Sequence, residues 1–300
     1  LIKNGTLIDG SGSKRYLADI LIENEKIKKI GKLDLTADKV IDASGKIVSP
    51  GFIDTHSHSD LKVLIEPFVE PKIRQGITTE ILGQDGISMA PLPEKYVSSW
   101  RKNLAGLDGD SDELKWDWKD TNGYLNLISK TGSGPNELYL VPHGNIRMEA
   151  MGLEARAATK EELEKMKEIT RREMEAGVAG ISTGLIYIPC AYAETEELIE
   201  ICKVAAEYGR PLVIHQRSEA DTMLESMQEV IRIAKESGVK IHFSHFKICG
   251  QKNWKLIEPV IALLDKCKEE GINISYDQYP YVAGSTMLGV ILPPWAHAGG

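Results

Sequence analysis

The chain has 300 residues, long enough for one large domain or two ordinary ones. At 42% hydrophobic and 27% charged it lies in the globular range, which excludes general disorder. Its 44 acidic residues outnumber 36 basic ones, for a net charge of −8. That balance speaks against nucleic acid or an anionic membrane as partner, and leaves room for a small anionic substrate held by one or two placed cations.

The chain opens at Leu1, without Met and already inside a strand-like pattern, so the natural start is expected a few residues upstream. No basic–apolar–small leader opens it, and no run approaches the roughly 18 apolar residues of a spanning helix. Short β-branched runs at Leu1-Ile2, Leu7-Ile8, Ile20-Leu21-Ile22 and Ile27 to Ile30 alternate with turn residues. They predict a small hairpin-rich β subdomain over residues 1–49.

From about Val48, strand and amphipathic-helix patterns alternate. Predicted strands are Lys46 to Asp54, Thr78 to Leu82, Glu137 to Val141, Gly180 to Thr183, Leu212 to His215, Lys240 to His245 and Ile272 to Tyr276. Thr159-Lys160-Glu161-Glu162 is a capping box opening a helix with Leu163, Met166, Ile169 and Met174 on its apolar side. Later helices, near 194–208, 221–236 and 255–269, stop at Gly209, Gly238 and Gly271. The last four strands start about 30 residues apart, the size of one βαβ unit, which predicts a parallel sheet, open or closed into a barrel. Seven strands are present, and an eighth is expected beyond Gly300. The fold class is α/β, a TIM-like (β/α)8 barrel over residues 50–300. Trp100, Trp116 and Trp118 are expected on helices packed against the barrel flank, with Asp108-Gly109-Asp110 as a turn.

Polar residues gather at the C-terminal ends of these strands, where such barrels build their sites. The first strand ends in Asp54-Thr55-His56-Ser57-His58, and two residues apart in extended chain puts both imidazoles on one face. Such a pair can seat a divalent metal, although His-x-His also arises as two solvated loop histidines. His215 closes one later strand. In the next, alternation groups His245 and Lys247 with Ile241 and Phe243, and turns His242 toward the helix layer as a packing residue. Asp85 precedes a glycine, a common turn role, and beside four histidines it can also ligate or bridge metals. His143 and Arg147 can reach a substrate, or His143 can cap its strand. The four cysteines form no C-x-x-C pair, so free thiols in a reducing, cytoplasmic compartment are expected. Cys190 and Cys249 can line the mouth, but nothing nearby in sequence activates them.

The run Val48-Ser49-Pro50-Gly51-Phe52-Ile53-Asp54-Thr55-His56-Ser57-His58, after a small β subdomain, resembles the amidohydrolase superfamily. Gly76 to Thr79, Ser182 to Tyr187, His215 to Glu219, Ser244 to Lys247 and Tyr276 to Tyr281 are similar to the N-acyl-D-amino-acid deacylases, or D-aminoacylases. The resemblance spans nearly the whole chain in order. It implies hydrolysis of the amide of N-acyl-D-amino acids in a (β/α)8 barrel whose small β subdomain is assembled from both chain ends. His215 and His245 match ligands of a tightly held Zn2+, and His56 and His58 match a pair for a second, weaker metal. Tyr187, Lys247 and a tyrosine of Tyr279-Pro280-Tyr281, with Tyr279 favoured, match contacts to the substrate carboxylate. Arg217 is a further candidate for that contact.

Two departures stand out. Where that family has a cysteine ligand in a Gly-Asn-Cys-Gly turn, this chain has Gln84-Asp85-Gly86, and Asp85 is a harder oxygen donor. The family's general acid/base, an aspartate on strand 8, is expected beyond residue 300. A cyclic-amide hydrolase of the hydantoinase or dihydroorotase kind is the rival enzyme, but Gly180-Ile181-Ser182-Thr183-Gly184 carries no lysine to bridge two metals. A barrel kept as a scaffold is the rival without chemistry, and retention of all four rim histidines argues against it.

Overall fold

The computed structural model describes residues 1–298. The chain divides into two compact units, Leu1–Phe52 and a second starting at Ile53. In the first, β1 (Ile2–Leu7), β2 (Tyr16–Glu23), β3 (Lys26–Gly31) and β4 (Ile41–Asp42) lie in the order β3-β2-β1-β4, and β5 (Ile47–Val48) also pairs with β1. The β2–β3 hairpin turns on Asn24 and Glu25, both left-handed, the twist that suits a two-residue hairpin loop. Leu7, Ala18 and Ile20 form a small core flanked by Ile2 and Val48.

The second unit is built on a seven-stranded sheet: β6 (Phe52–Asp54), β7 (Ile77–Leu82), β8 (Asn136–Pro142), β9 (Gly180–Gly184), β10 (Leu212–His215), β11 (Ile241–Phe243) and β12 (Ile274–Tyr276). They neighbour one another in strict sequence order. Every ladder from β7–β8 and β8–β9 through β11–β12 is parallel. β9 and β10 are buried at every residue, as central parallel strands covered on both faces should be. The long run expected over Lys46 to Asp54 is two strands in two sheets. Pro50 and Gly51 lie between them, and a proline cannot donate to a ladder.

Helices follow the strands. The helix Lys160–Glu175 carries the full Thr159/Glu162 capping box and buries Met166, Ile169 and Met174. The helix Met223–Ser237 buries Met223, Met227, Val230, Ile231, Ile233 and Ala234 and stops at left-handed Gly238, whose N–H donates to the Ala234 carbonyl. Trp100 lies on the helix Val97–Asp108, whereas Trp116 and Trp118 are buried in the loop that follows. Their rings stack with centroids 5.3 Å apart, and the Trp100 and Trp118 indoles donate to the carbonyls of Ser88 and Met89.

Candidate active site

The C-terminal ends of the strands surround a cavity of about 740 Å³. His56 and His58 reach it from the segment after β6, and His215 is the last residue of β10. His245 arrives differently from the expected alternation. β11 ends at Phe243, and His245 lies beyond it in a left-handed turn, φ 36°. Its backbone N–H donates to Asp277 Oδ1, which anchors that strained conformation.

Asp85 sits in the middle. Oδ2 is 3.7 Å from His56 Nε2 and 3.3 Å from His58 Nε2. Oδ1 is 3.9 Å from His215 Nδ1 and 3.8 Å from His245 Nε2. Each oxygen therefore faces one pair of imidazoles. A backbone turn makes this possible: Gly83, Asp85 and Gly86 all have positive φ. The turn is wedged against β8 and β9. A Cβ at Gly83 would lie 2.1 Å from the Leu140 carbonyl oxygen, and one at Gly86 2.8 Å from Thr183 Cα. The Gly86 N–H donates to Ser182 Oγ on β9.

Burial works against the Asp85 carboxylate, but the nearby imidazoles, His56 first and then His58 and His215, hold its pKa well below the usual value. His56 is raised, since Asp85 outweighs the opposing effect of burial. His215 is pushed down to about 4, chiefly by burial, and stays neutral with a lone pair to offer. His56 Nδ1, Asp85 Oδ1 and His215 Nδ1 are buried without a hydrogen-bond partner. Orphaned donor atoms facing one another at these separations suit an intervening cation. His56, Asp85 and His245 form one such group, and His215, Glu219 and His245 another.

Glu219 received no role in the sequence reading. Its Oε1 is 3.0 Å from His245 Nδ1, its Oε2 is 3.9 Å from His215 Nε2, and Lys247 Nζ is 2.6 Å from Oε2. The available clue was the spacing from His215 to a carboxylate four residues on. Asp277 directly follows β12. It lies 3.9 Å from His56 Nδ1 and 2.9 Å from His242 Nε2. His242 does not line the cavity, and its Nδ1 meets Ser275 Oγ.

Lys247, Tyr187 and Tyr279 line the cavity. The Lys247 ammonium lies 5.3 Å from the Tyr279 ring centroid. The Tyr187 hydroxyl is 2.8 Å from Thr286 Oγ1, and burial raises its phenol pKa. His143 and Arg217, expected as substrate contacts, do not line the cavity. Pro142 ends β8 and His143 begins the helix His143–Met151, so the ring turns inward between elements. There it meets Thr183 Oγ1 at 2.9 Å and Glu197 Oε1 at 2.8 Å. Arg147 ends on the same glutamate. Against burial, Cys190 and Glu197 raise His143 to about 9. Arg217 is drawn off by a two-pronged pair with Glu229 and by the carbonyls of Ala191 and Ala193.

The chain belongs to the amidohydrolase family, whose sequence profile matches residues 39–263. It is similar to a D-aminoacylase of Alcaligenes xylosoxydans xylosoxydans, 37% identical over 289 residues, covering 96% of this chain and 58% of that protein. Among solved structures it is similar to an N-acyl-D-glutamate deacylase from Bordetella bronchiseptica, complexed with zinc and a phosphonate mimic of the tetrahedral intermediate. The TM-score there is 0.87 at 37% identity, covering 93% of this chain and 58% of that one. A D-aminoacylase with a binuclear metal centre, described by one-metal activation and second-metal attenuation, matches at TM-score 0.88 and 35% identity, with coverages of 96% and 59%. The chain thus spans somewhat more than half the length of these relatives. The barrel fold class expected from the strand–helix succession holds: the parallel strands run in sequence order, and the chain matches these structures at TM-scores of 0.87 and 0.88.

Proposed function

We propose that the protein is a metal-dependent hydrolase that cleaves the amide of N-acyl-D-amino acids into a carboxylate and a D-amino acid. The observation that carries this reading is the Asp85 carboxylate at 3.3–3.9 Å from four imidazoles, with buried donor atoms left unpaired. Similarity to the zinc-complexed deacylase supports Zn2+ as the tightly held ion. His215, His245 and Asp85 would hold it, and His56 and His58 would face a second, weaker one across Asp85. A bound divalent ion supplies Lewis acidity, polarising the scissile carbonyl and lowering the pKa of water.

The chain's own residues supply the rest. Lys247 is fixed by Glu219 and leans on Tyr279, so its ammonium is pre-positioned for the substrate carboxylate. Tyr187, with its phenol kept protonated, can donate to the substrate carboxylate. Glu219 holds the His245 ring in place through Nδ1. Among the described residues no helix is long and apolar enough to cross a membrane.

Hydrolysis of N-acetyl-D-methionine and N-acetyl-L-methionine by the zinc-loaded full-length protein, with and without chelator, tests the reading. Turnover of the D isomer that stops on chelation is expected. Preference for the L isomer, or cleavage of hydantoin alone, would overturn it.

A further inference from the structure

His56 and His58 stand in irregular backbone just after β6, where no ladder sets the direction of a side chain. Something else has to aim the two rings. Ser57, between them, turns the other way: both imidazoles line the cavity, whereas Ser57 is buried and does not. Behind it lies Lys72, from the one-turn helix Glu70–Ile73. Its ammonium donates to Asp54 Oδ2 and, at 3.0 Å, to Ser57 Oγ, and it lies 3.2 Å from Glu80 Oε2. An ammonium has three N–H donors, and these three acceptors can take all of them. Ser57 in turn donates its hydroxyl to Glu80 Oε2, and Asp54 Oδ1 accepts the His56 N–H at 3.2 Å. Lys72 thus grips the chain on both sides of His56.

Glu80 shows that this cluster is more than incidental. On β7 it shares a face with Leu82, and both are fully buried. A carboxylate at such a core position is costly, and a buried ion pair seldom stabilises a fold more than apolar residues of similar volume would. Among the described residues, Lys72 is the one lysine or arginine that pairs with Asp54 or Glu80. Burial opposes the ammonium's charge, but Asp54 and then Glu80 outweigh it and raise its pKa. What the pair supplies is direction, since an apolar residue here could not hold Asp54 and Ser57 by hydrogen bonds. We propose that Lys72 is a positioning residue for His56 and His58, aiming both at Asp85 Oδ2 through Asp54 and Ser57. The two Nε2 atoms stand 3.7 and 3.3 Å from that oxygen. The consequence rests on the metal reading above, in which this pair faces the second, weaker ion. Lys72 governs that ion alone, because His215 and His245 reach Asp85 Oδ1 from β10 and from the turn after β11.

The test uses the full-length protein, stripped by chelator and titrated with Zn2+ in competition with a chelating dye. Lys72→Met keeps the stem and removes the charge. The double variant Lys72→Met/Glu80→Leu also removes the carboxylate left unpaired, and keeps the test in force where the single variant fails to fold. In both, affinity at the weaker site should fall by about 10–100-fold, with the tighter site unchanged. In metal-free crystals of the double variant, the His56 and His58 rings should have turned away from Asp85. A Lys72 that merely neutralises Glu80 gives the opposite result: the double variant regains the wild-type weaker site, with both rings in place. That outcome, or equal weakening of the two sites, would overturn the proposal. The ring positions are read without metal, so loss of the two-ion reading leaves the crystallographic result on Lys72 intact.

Discussion

Glu219 touches His215, His245 and Lys247 at once, tying a ring that faces Asp85 to an ammonium that lines the cavity. Replacing its charge while keeping its shape should loosen both. Glu219→Gln is expected to weaken metal affinity by about 10–100-fold, measured by competition with a chelator. His215 carries a pH dependence. Its pKa in the fold is about 4, below the unbound histidine value of 6.5, so the unfolded chain binds the extra proton first. The stability it contributes is present above pH 6.5 and is lost as pH falls toward 4. Metal-free wild type should therefore lose roughly 3 kcal/mol relative to His215→Gln across that window, read from urea melts. His56 has the opposite sign, because Asp85 raises it, so the comparison has to be made against that variant.

The decisive element is the turn from Gly83 to Gly86. Its left-handed residues let Asp85 enter between strands that otherwise leave no room for a side chain. Gly86→Ala would combine a disfavoured φ with a Cβ pressed against β9. It should cost at least about 2 kcal/mol in chemical denaturation and reduce metal content with it. Thr159→Ala, at the capping box of a helix that only supports the barrel, should cost about 1 kcal/mol and leave metal content unchanged. Helices were legible because their signals are local: Thr159 with Glu162 at one end, Gly238 at the other. β11 was less so. Alternation assigns His245 to a strand face, but the strand stops two residues earlier and a turn does the placing. Periodicity carries no information once the backbone leaves the extended state.

For the molecule as a whole, the stability of the barrel should depend on its metal. Buried ligands that lack partners in the metal-free chain gain them on binding. At a free ion concentration 100 times the dissociation constant, unfolding should rise by about 2.7 kcal/mol, visible as a higher Tm that chelator reverses. The order of strands and helices and the histidines at their ends were legible from local pattern, because hydrophobic period, caps and glycine stops are written in neighbouring residues. Which polar groups converge was set by folding. His143, Arg217 and His215 all stand at strand ends. Glu197, 54 residues after His143, and Glu229, on the helix that follows Arg217, hold the first two away from the cavity, while His215 is left facing Asp85. Such partners are fixed by packing between distant segments, which no local pattern records.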